Sequence, residues 1–168
     1  WLQHSAATMH FEHSPAEKAY IDFTGKKLQL VDPDSGEIKA VEVYVAILGF
    51  SQLTYVEAVP SQRKEDFLGA TANALSYFGG VPKALVTDNL KAAVVQADNY
   101  EPQINEDFLD FANHYRTTIY PTRSRKPRDK ALVENAVGII YNRIFAPLRN
   151  QIFFDLASLN AAIKELLE

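Results

Sequence analysis

Three carboxylates in three different settings have the residue types to do chemistry together. Asp22 sits in the strand-like run Ala19-Tyr20-Ile21-Asp22-Phe23, Asp88 closes Ala84-Leu85-Val86-Thr87-Asp88, and Glu134 lies in a helical run that begins near Asp129. An acid set among β-branched and aromatic residues is costly to bury without a partner, because its charged form gives up hydration. Two such acids call for a cation. The third is preceded by Arg123, Arg125, Lys126, Arg128 and Lys130, which points to a cation shared with a phosphate backbone. The chemistry expected of this set is metal-dependent transfer at a phosphodiester.

Each acid also has a simpler reading. Asp88 suits the N-cap of a segment starting at Asn89, and Glu134, four residues after Lys130, suits an ordinary ion pair on a helix surface. Asp22 is harder to explain away, since Asp is depleted in strand interiors and a structural role would need buried donors that the sequence does not show. At about 100° per residue, Val133, Val137, Ile140, Ile144 and Leu148 form one apolar stripe with Glu134 on its border, so its carboxylate can look toward a sheet while the helix stays packed. Other polar and aromatic residues carry weaker signals. His10 and His13 have a metal-compatible spacing without further ligands nearby. His114 reads as a packed or surface histidine. Asn89 can orient a ligand or cap, and Tyr20, Phe23, Tyr120 and Tyr141 suit stacking on bases or plain packing.

The elements that must position these groups follow from patterning. A chain of 168 residues, 47% hydrophobic and without cysteine, supports one buried core and excludes disulfides and thiolate metal sites. No apolar run approaches the roughly 20 residues of a membrane span, and no signal-peptide layout opens the chain. Net charge is −4, yet from Arg116 to Lys130 six bases face one acid, a local charge of +5 that leaves −9 on the remainder. A basic footprint is a local property and can sit on an acidic domain. Residues 18–31 read as a strand, 39–50 as its antiparallel partner beyond a turn at Asp32-Pro33-Asp34-Ser35-Gly36, and 53–59 as a third strand. A helix capped by Ser61 carries Phe67, Ala70, Thr71, Ala74, Leu75 and Phe78 on one face and stops at Gly79-Gly80. A fourth strand spans 83–87. Residues 90–95 read as a short helical segment and 96–103 as a loop. A helix capped by Asn105 runs through His114, a fifth strand covers 117–120, and helices follow from about 128 to 146 and from 155 onward. Meandering strands followed by alternating helix and strand make an α/β fold: a mixed five-stranded sheet with helices on both faces.

With their surrounding text, Tyr20-Ile21-Asp22-Phe23-Thr24-Gly25, Val86-Thr87-Asp88-Asn89-Leu90-Lys91 and Lys126-Pro127-Arg128-Asp129-Lys130-Ala131-Leu132-Val133-Glu134, the three acids resemble the DDE catalytic core of the retroviral-integrase superfamily. More narrowly they resemble bacterial insertion-sequence transposases of the IstA type, which act with an AAA+ helper ATPase. The resemblance extends over nearly the whole chain. It implies a ribonuclease-H-like fold, Asp22, Asp88 and Glu134 as ligands of Mg²⁺ or Mn²⁺, and a polynucleotidyl transferase that cleaves donor DNA ends and joins 3′-hydroxyls to target DNA. A hydrolytic nuclease of the same fold, or a non-catalytic DNA-binding or assembly domain, are the alternatives. It further implies a single catalytic core, residues 1–168, cut from a longer protein, with a lead-in segment at 1–17 and a C-terminal helix at 155–168. A homo-oligomer on DNA in a bacterial, nucleoid-associated, cytoplasmic setting is expected. Forty-five residues separate Asp88 from Glu134, a wider gap than retroviral integrases show, and Ala131 stands where many integrases carry glycine.

Overall fold

The computed structural model describes residues 17–87, 94–96, 103–121 and 136–168. Strand β1 (Lys18–Phe23) is followed by β2 (Leu28–Val31), the long β3 (Ile38–Leu48) and β4 (Thr54–Val59). The stretch expected as one strand over 18–31 is thus two. Gly25 between them takes φ +74°, a conformation that costs glycine little and other residues more, so β1 and β2 pair with successive stretches of β3 instead of forming one straight ladder. β4 pairs with the same β3 residues as β1 does, Tyr44 to Ile47, and therefore lies on β3's other side.

Helix α1 (Lys64–Phe78) carries the chain from β4 to β5 (Ala84–Thr87), which lies parallel to β1. Ser61 does not cap this helix. Its hydroxyl accepts from the Arg63 N–H and bonds the Asp66 carboxylate, and the helix starts after Arg63. Gly79 ends it at φ +69°, with Gly79 and Gly80 N–H groups returning to the Ser76 and Leu75 carbonyls. Strands β6 (Val94–Gln96) and β7 (Gln103–Ile104) pair antiparallel in a separate two-stranded sheet. Val94 and Val95 are therefore extended, against the helical expectation, as β-branched residues favour; residues 97–102 lie outside the described residues. Asn105 caps α2 (Glu106–Tyr115) by accepting from the Asp107 N–H, and β8 (Thr118–Pro121) then lies parallel to β5. The main sheet has six strands, one more than expected because of the break at Gly25.

Alternation along β3 divides the interior in two. Tyr44 and Ala46 join Ile21, Phe67, Ala70, Leu85, Phe108 and Ile119 beneath α1 and α2. Val43, Val45 and Ile47 face the other way, beneath a helical stretch at 136–148 (α3) and helix α4 (Leu156–Leu167). Asp155 caps α4 by accepting from the Ser158 N–H. The helices on both faces agree with the expected layout.

α3 is not a uniform α-helix. Residues Tyr141–Phe145 form a π turn in which the Ala146 N–H reaches the Tyr141 carbonyl, and Ala146–Leu148 resume α geometry. Pro147 supplies the cause. A proline inside a helix has no N–H to donate and crowds the carbonyl four residues back, and widening the preceding turn shifts the ladder out of that clash. The helix therefore passes through Pro147 to Leu148 instead of ending at Ala146.

Candidate catalytic site

β1 lies inside the sheet, between β3 and β5, so the backbone around Asp22 is held from both sides. Asp22 pairs with Val45, whose side chain belongs to the core under α3 and α4. Paired residues of antiparallel strands share a face, so the Asp22 carboxylate is on the α3 side of the sheet. Its neighbours Ile21 and Phe23 point the opposite way. Phe23 packs against Tyr44 and Phe67 with ring centroids 6.2 and 5.5 Å apart, and Phe67 meets Phe108 at 5.4 Å. This aromatic cluster braces the strand from behind, and an immobile strand is what an acid needs if its position is to be precise. Asp22 is half-buried, and its Oδ1 accepts the Phe23 N–H at 2.7 Å.

The parallel register brings a second segment to the same place. Ile21 pairs with Thr87, the residues before Asp22 and Asp88 respectively, and Thr87 in turn pairs with Pro121. Because β1, β5 and β8 are parallel, Phe23, Thr87 and Pro121 end at one edge of the sheet, where open α/β sheets build their sites. Asp88 and Glu134 themselves lie outside the described residues, as do Arg123, Arg125, Lys126, Arg128, Lys130, Asn89, His10 and His13. Among the described residues no group of three or more His, Cys, Asp or Glu forms a metal-binding cluster.

The aromatic candidates separate clearly. Tyr20 is 3% exposed and Phe23 is part of the core, so both pack. Tyr120 and Tyr141 are about half exposed, at 55% and 48%. Tyr120 shares a row with Val86 and Tyr20 across the three parallel strands, on the Asp22 face. His114 is exposed and stands edge-on to Tyr115. It lines an open cleft of about 560 Å³ with Lys64, Asp107 and Phe111, between α1 and α2 and so on the sheet face opposite Asp22.

One grouping escaped sequence reasoning. The Lys26 ammonium, in the β1–β2 connection four residues after Asp22, donates to the Tyr141 hydroxyl, lies 3.8 Å from the Tyr141 ring centre and 5.3 Å from that of Phe145. The two rings lie 5.7 Å apart, their planes tilted by 33°, across the π turn. Lys26 holds the Tyr141 hydroxyl below its ordinary pKa, first through the hydrogen bond and then through its charge. Pro147, two residues past Phe145, signals only that the helix is disturbed there and not that Lys26 meets it.

Comparison with known proteins bears on what this arrangement is. The family model described as Integrase core domain matches residues 12–127. The chain belongs to the integrase core family. A Sinorhizobium fredii protein named as a transposase is 45% identical over 166 residues, covering 99% of this chain and 32% of its own length. A Pseudomonas fluorescens protein named as the transposase for insertion sequence IS1162 is 44% identical over 161 residues, 96% of this chain and 29% of its own. The transposase for insertion sequence element IS21 from Pseudomonas aeruginosa is 31% identical, covering 88% of this chain and 37% of its own. The chain thus spans about a third of the length of these relatives. Among solved structures, a simian T-cell lymphotropic virus intasome superposes with TM-score 0.66 at 14% identity, over 94% of this chain and 50% of that one. The HTLV-2 integrase catalytic core domain in complex with magnesium superposes with TM-score 0.59 at 20% identity, over 91% of this chain and 84% of that one. The integrase-core fold, ribonuclease-H-like and expected from the three acids, is the fold observed. Among the described residues no helix is long and apolar enough to cross a membrane.

Proposed function

We propose that this chain is the catalytic core of a bacterial insertion-sequence transposase, and that Asp22, Asp88 and Glu134 hold the divalent cations of a polynucleotidyl transfer. The observation that carries the reading is the Ile21–Thr87 pairing, which sets the immediate predecessors of two of the acids side by side in a chain of the integrase core family. The third acid precedes by two residues the buried Ala136 of α3, the helix that covers the Asp22 face. All three donors are carboxylate oxygens. That set fits a hard cation such as Mg²⁺, with Mn²⁺ as substitute, and not a thiolate-seeking metal. Divalent ions held by these carboxylates would help activate an attacking oxygen and offset charge at phosphorus and at the departing oxygen.

The chain's own residues do the rest. Asp22, braced from behind by Phe23 and Phe67, gives the site its fixed point. Arg123, Arg125, Lys126, Arg128 and Lys130 neutralise backbone phosphates beside the acids and fix the register of the DNA without reading its sequence. In the first step water attacks a phosphodiester at the element end, one P–O bond forms as another breaks, and a 3′-hydroxyl is freed. In the second, that hydroxyl attacks a target phosphodiester and displaces a target 3′-oxygen, so the bond count is conserved. Within the family the chain reads as the IstA type, with an AAA+ helper ATPase, a homo-oligomeric complex on paired element ends, further DNA-binding regions in the longer protein, and a cytoplasmic, nucleoid-associated setting. Diffraction from crystals soaked in Mn²⁺ tests the site directly. Anomalous density between Asp22, Asp88 and Glu134 is the expected result, and carboxylates paired only with protein donors under saturating Mn²⁺ would refute it.

A further inference from the structure

Among the described residues, three strands of the main sheet ladder with one neighbour only: β2, β4 and β8. An unpaired strand edge is a template for another chain. Two of the three are blunted in ordinary ways. β2 has four residues and its Val31 N–H is taken by the Phe153 carbonyl, while β8, also of four residues, ends on Pro121, which has no N–H to offer. β4 has neither protection. Its six residues, Thr54-Tyr55-Val56-Glu57-Ala58-Val59, include no lysine or proline and are mostly of the β-branched and aromatic kinds that favour strand pairing.

Ala58 shows which way this edge faces. Both its N–H and its C=O go to the Asn160 side-chain amide, at 2.7 and 2.9 Å, and so point away from β3. In an antiparallel ladder such groups alternate, so the N–H and C=O of Val56 and Thr54 point outward as well. Outward groups at 54, 56 and 58 are the set that a second β4 would need. Laid antiparallel about a two-fold axis at Val56, two copies would set Thr54 of each opposite Ala58 of the other, an isologous pairing that closes on itself. Asn160 stands in its way. A primary amide carries a donor and an acceptor in one plane, and here it makes the two bonds at Ala58 that a partner strand would make. The two-fold relation places one such amide at each end of the pairing. Leu159 and Ile163, on either side of Asn160 in α4, are fully buried in the same core cluster as Val56 and Ala58, so the amide is held against the edge by the helix that carries it.

We propose that Asn160 guards the β4 edge: its amide occupies the place of a partner strand and so keeps a second copy of this chain from adding to the sheet. The inference does not depend on the reading of Asp22, Asp88 and Glu134. The two bonds also fasten α4 to β4, so a lower melting temperature in a variant says nothing for or against the guard. Association does.

The test is light scattering of the chain across a concentration series, with amide hydrogen exchange at Val56 and Ala58 and circular dichroism as the check on folding. Asn160→Ala, which keeps a good helix former in α4, is expected to self-associate at a concentration at least about tenfold below the parent, the scale set by leaving the Ala58 groups unpaired. Its Ala58 amide should exchange fast when dilute and slowly when concentrated, whereas in the parent it is protected at every concentration. Adding Thr54→Pro, which removes an outward N–H at the first residue of the strand, should return association to the parental level. A folded Asn160→Ala that associates no more than the parent would overturn the proposal, as would association that survives Thr54→Pro, since another surface would then be responsible. Should Asn160→Ala fail to fold, Asn160→Ser, whose short hydroxyl cannot span both Ala58 groups, decides the matter by the same two readings.

Discussion

Glu42 shows how a single carboxylate is kept charged in this fold without any metal. Its side chain is 10% exposed, 2.5 Å from the Lys27 ammonium, and its Oε2 accepts from the Gln62 amide at 3.0 Å. Burial pushes its pKa up, but the hydrogen bonds from Lys27 and Gln62 and the Lys27 charge together pull it further down, and the net direction is downward. A lowered folded-state pKa means stability that is present above the unfolded pKa and is lost as pH falls through the folded value. Glu42→Gln is therefore expected to melt below the parent at neutral pH, with the gap closing once the pH drops below roughly 4. A gap that persists unchanged into acid would show that the Glu42 charge is not what Lys27 and Gln62 hold. Asp22 differs in kind. It lies on a central strand with Ile21 and Phe23 packed on the reverse face, a setting that spends good packing to hold an acid still.

Among the elements, β1 and α1 do the most to locate the site. Phe67 of α1 is fully buried and touches Phe23, Tyr44 and Phe108, so it links the helix to the Asp22 strand itself, to β3 and to α2. Phe67→Ala is expected to cost about 3 to 5 kcal/mol, read by urea unfolding; a loss under 1 kcal/mol would mean that this cluster does not hold β1 in place. Much of this level was legible in the sequence. The spacing of Phe67, Ala70, Thr71, Ala74 and Leu75 marked the buried face of α1, and Asn105, Asp155 and Gly79 marked helix ends, because caps and periodicity are local properties. The break at Gly25, the strand nature of Val94 and Val95, and the passage of α3 through Pro147 were not legible. Each depends on a partner outside the segment itself: β3 for the first, β7 for the second, and the sheet beneath Ile144 and Phe145 for the third. The closure of the β4 edge by Asn160, whose amide bonds both the N–H and the C=O of Ala58 across 102 residues, was hidden for the same reason. Of the candidate site, Asp22 stood out from its unlikely place in a strand, whereas the contact of Lys26 with Tyr141 did not, since nothing in Gly25-Lys26-Lys27 distinguishes it from a solvated turn.

At the scale of the molecule, the proposed function requires an acidic chain to engage an acidic polymer, and the run from Arg116 to Lys130, with a local excess of +5, is the segment proposed to do so. Replacing Lys126 and Lys130 together by alanine in the full-length protein is expected to weaken DNA binding irrespective of sequence. The slope of log affinity against log salt should fall by up to about two, roughly one per lost phosphate contact. An unchanged affinity and slope would reduce the basic run to a solvated segment. The chain's place at about a third of its relatives' length makes whole-protein measurements the decisive ones. The most direct is strand transfer by the full-length protein carrying Asp22→Asn, Asp88→Asn or Glu134→Gln, changes that remove the charge proposed to bind metal at nearly constant shape. Each is expected to retain DNA binding and to lose at least about 10³-fold in rate, on the order of 4 kcal/mol of barrier. A rate within a few-fold of the parent for any one of the three would contradict its place in the site.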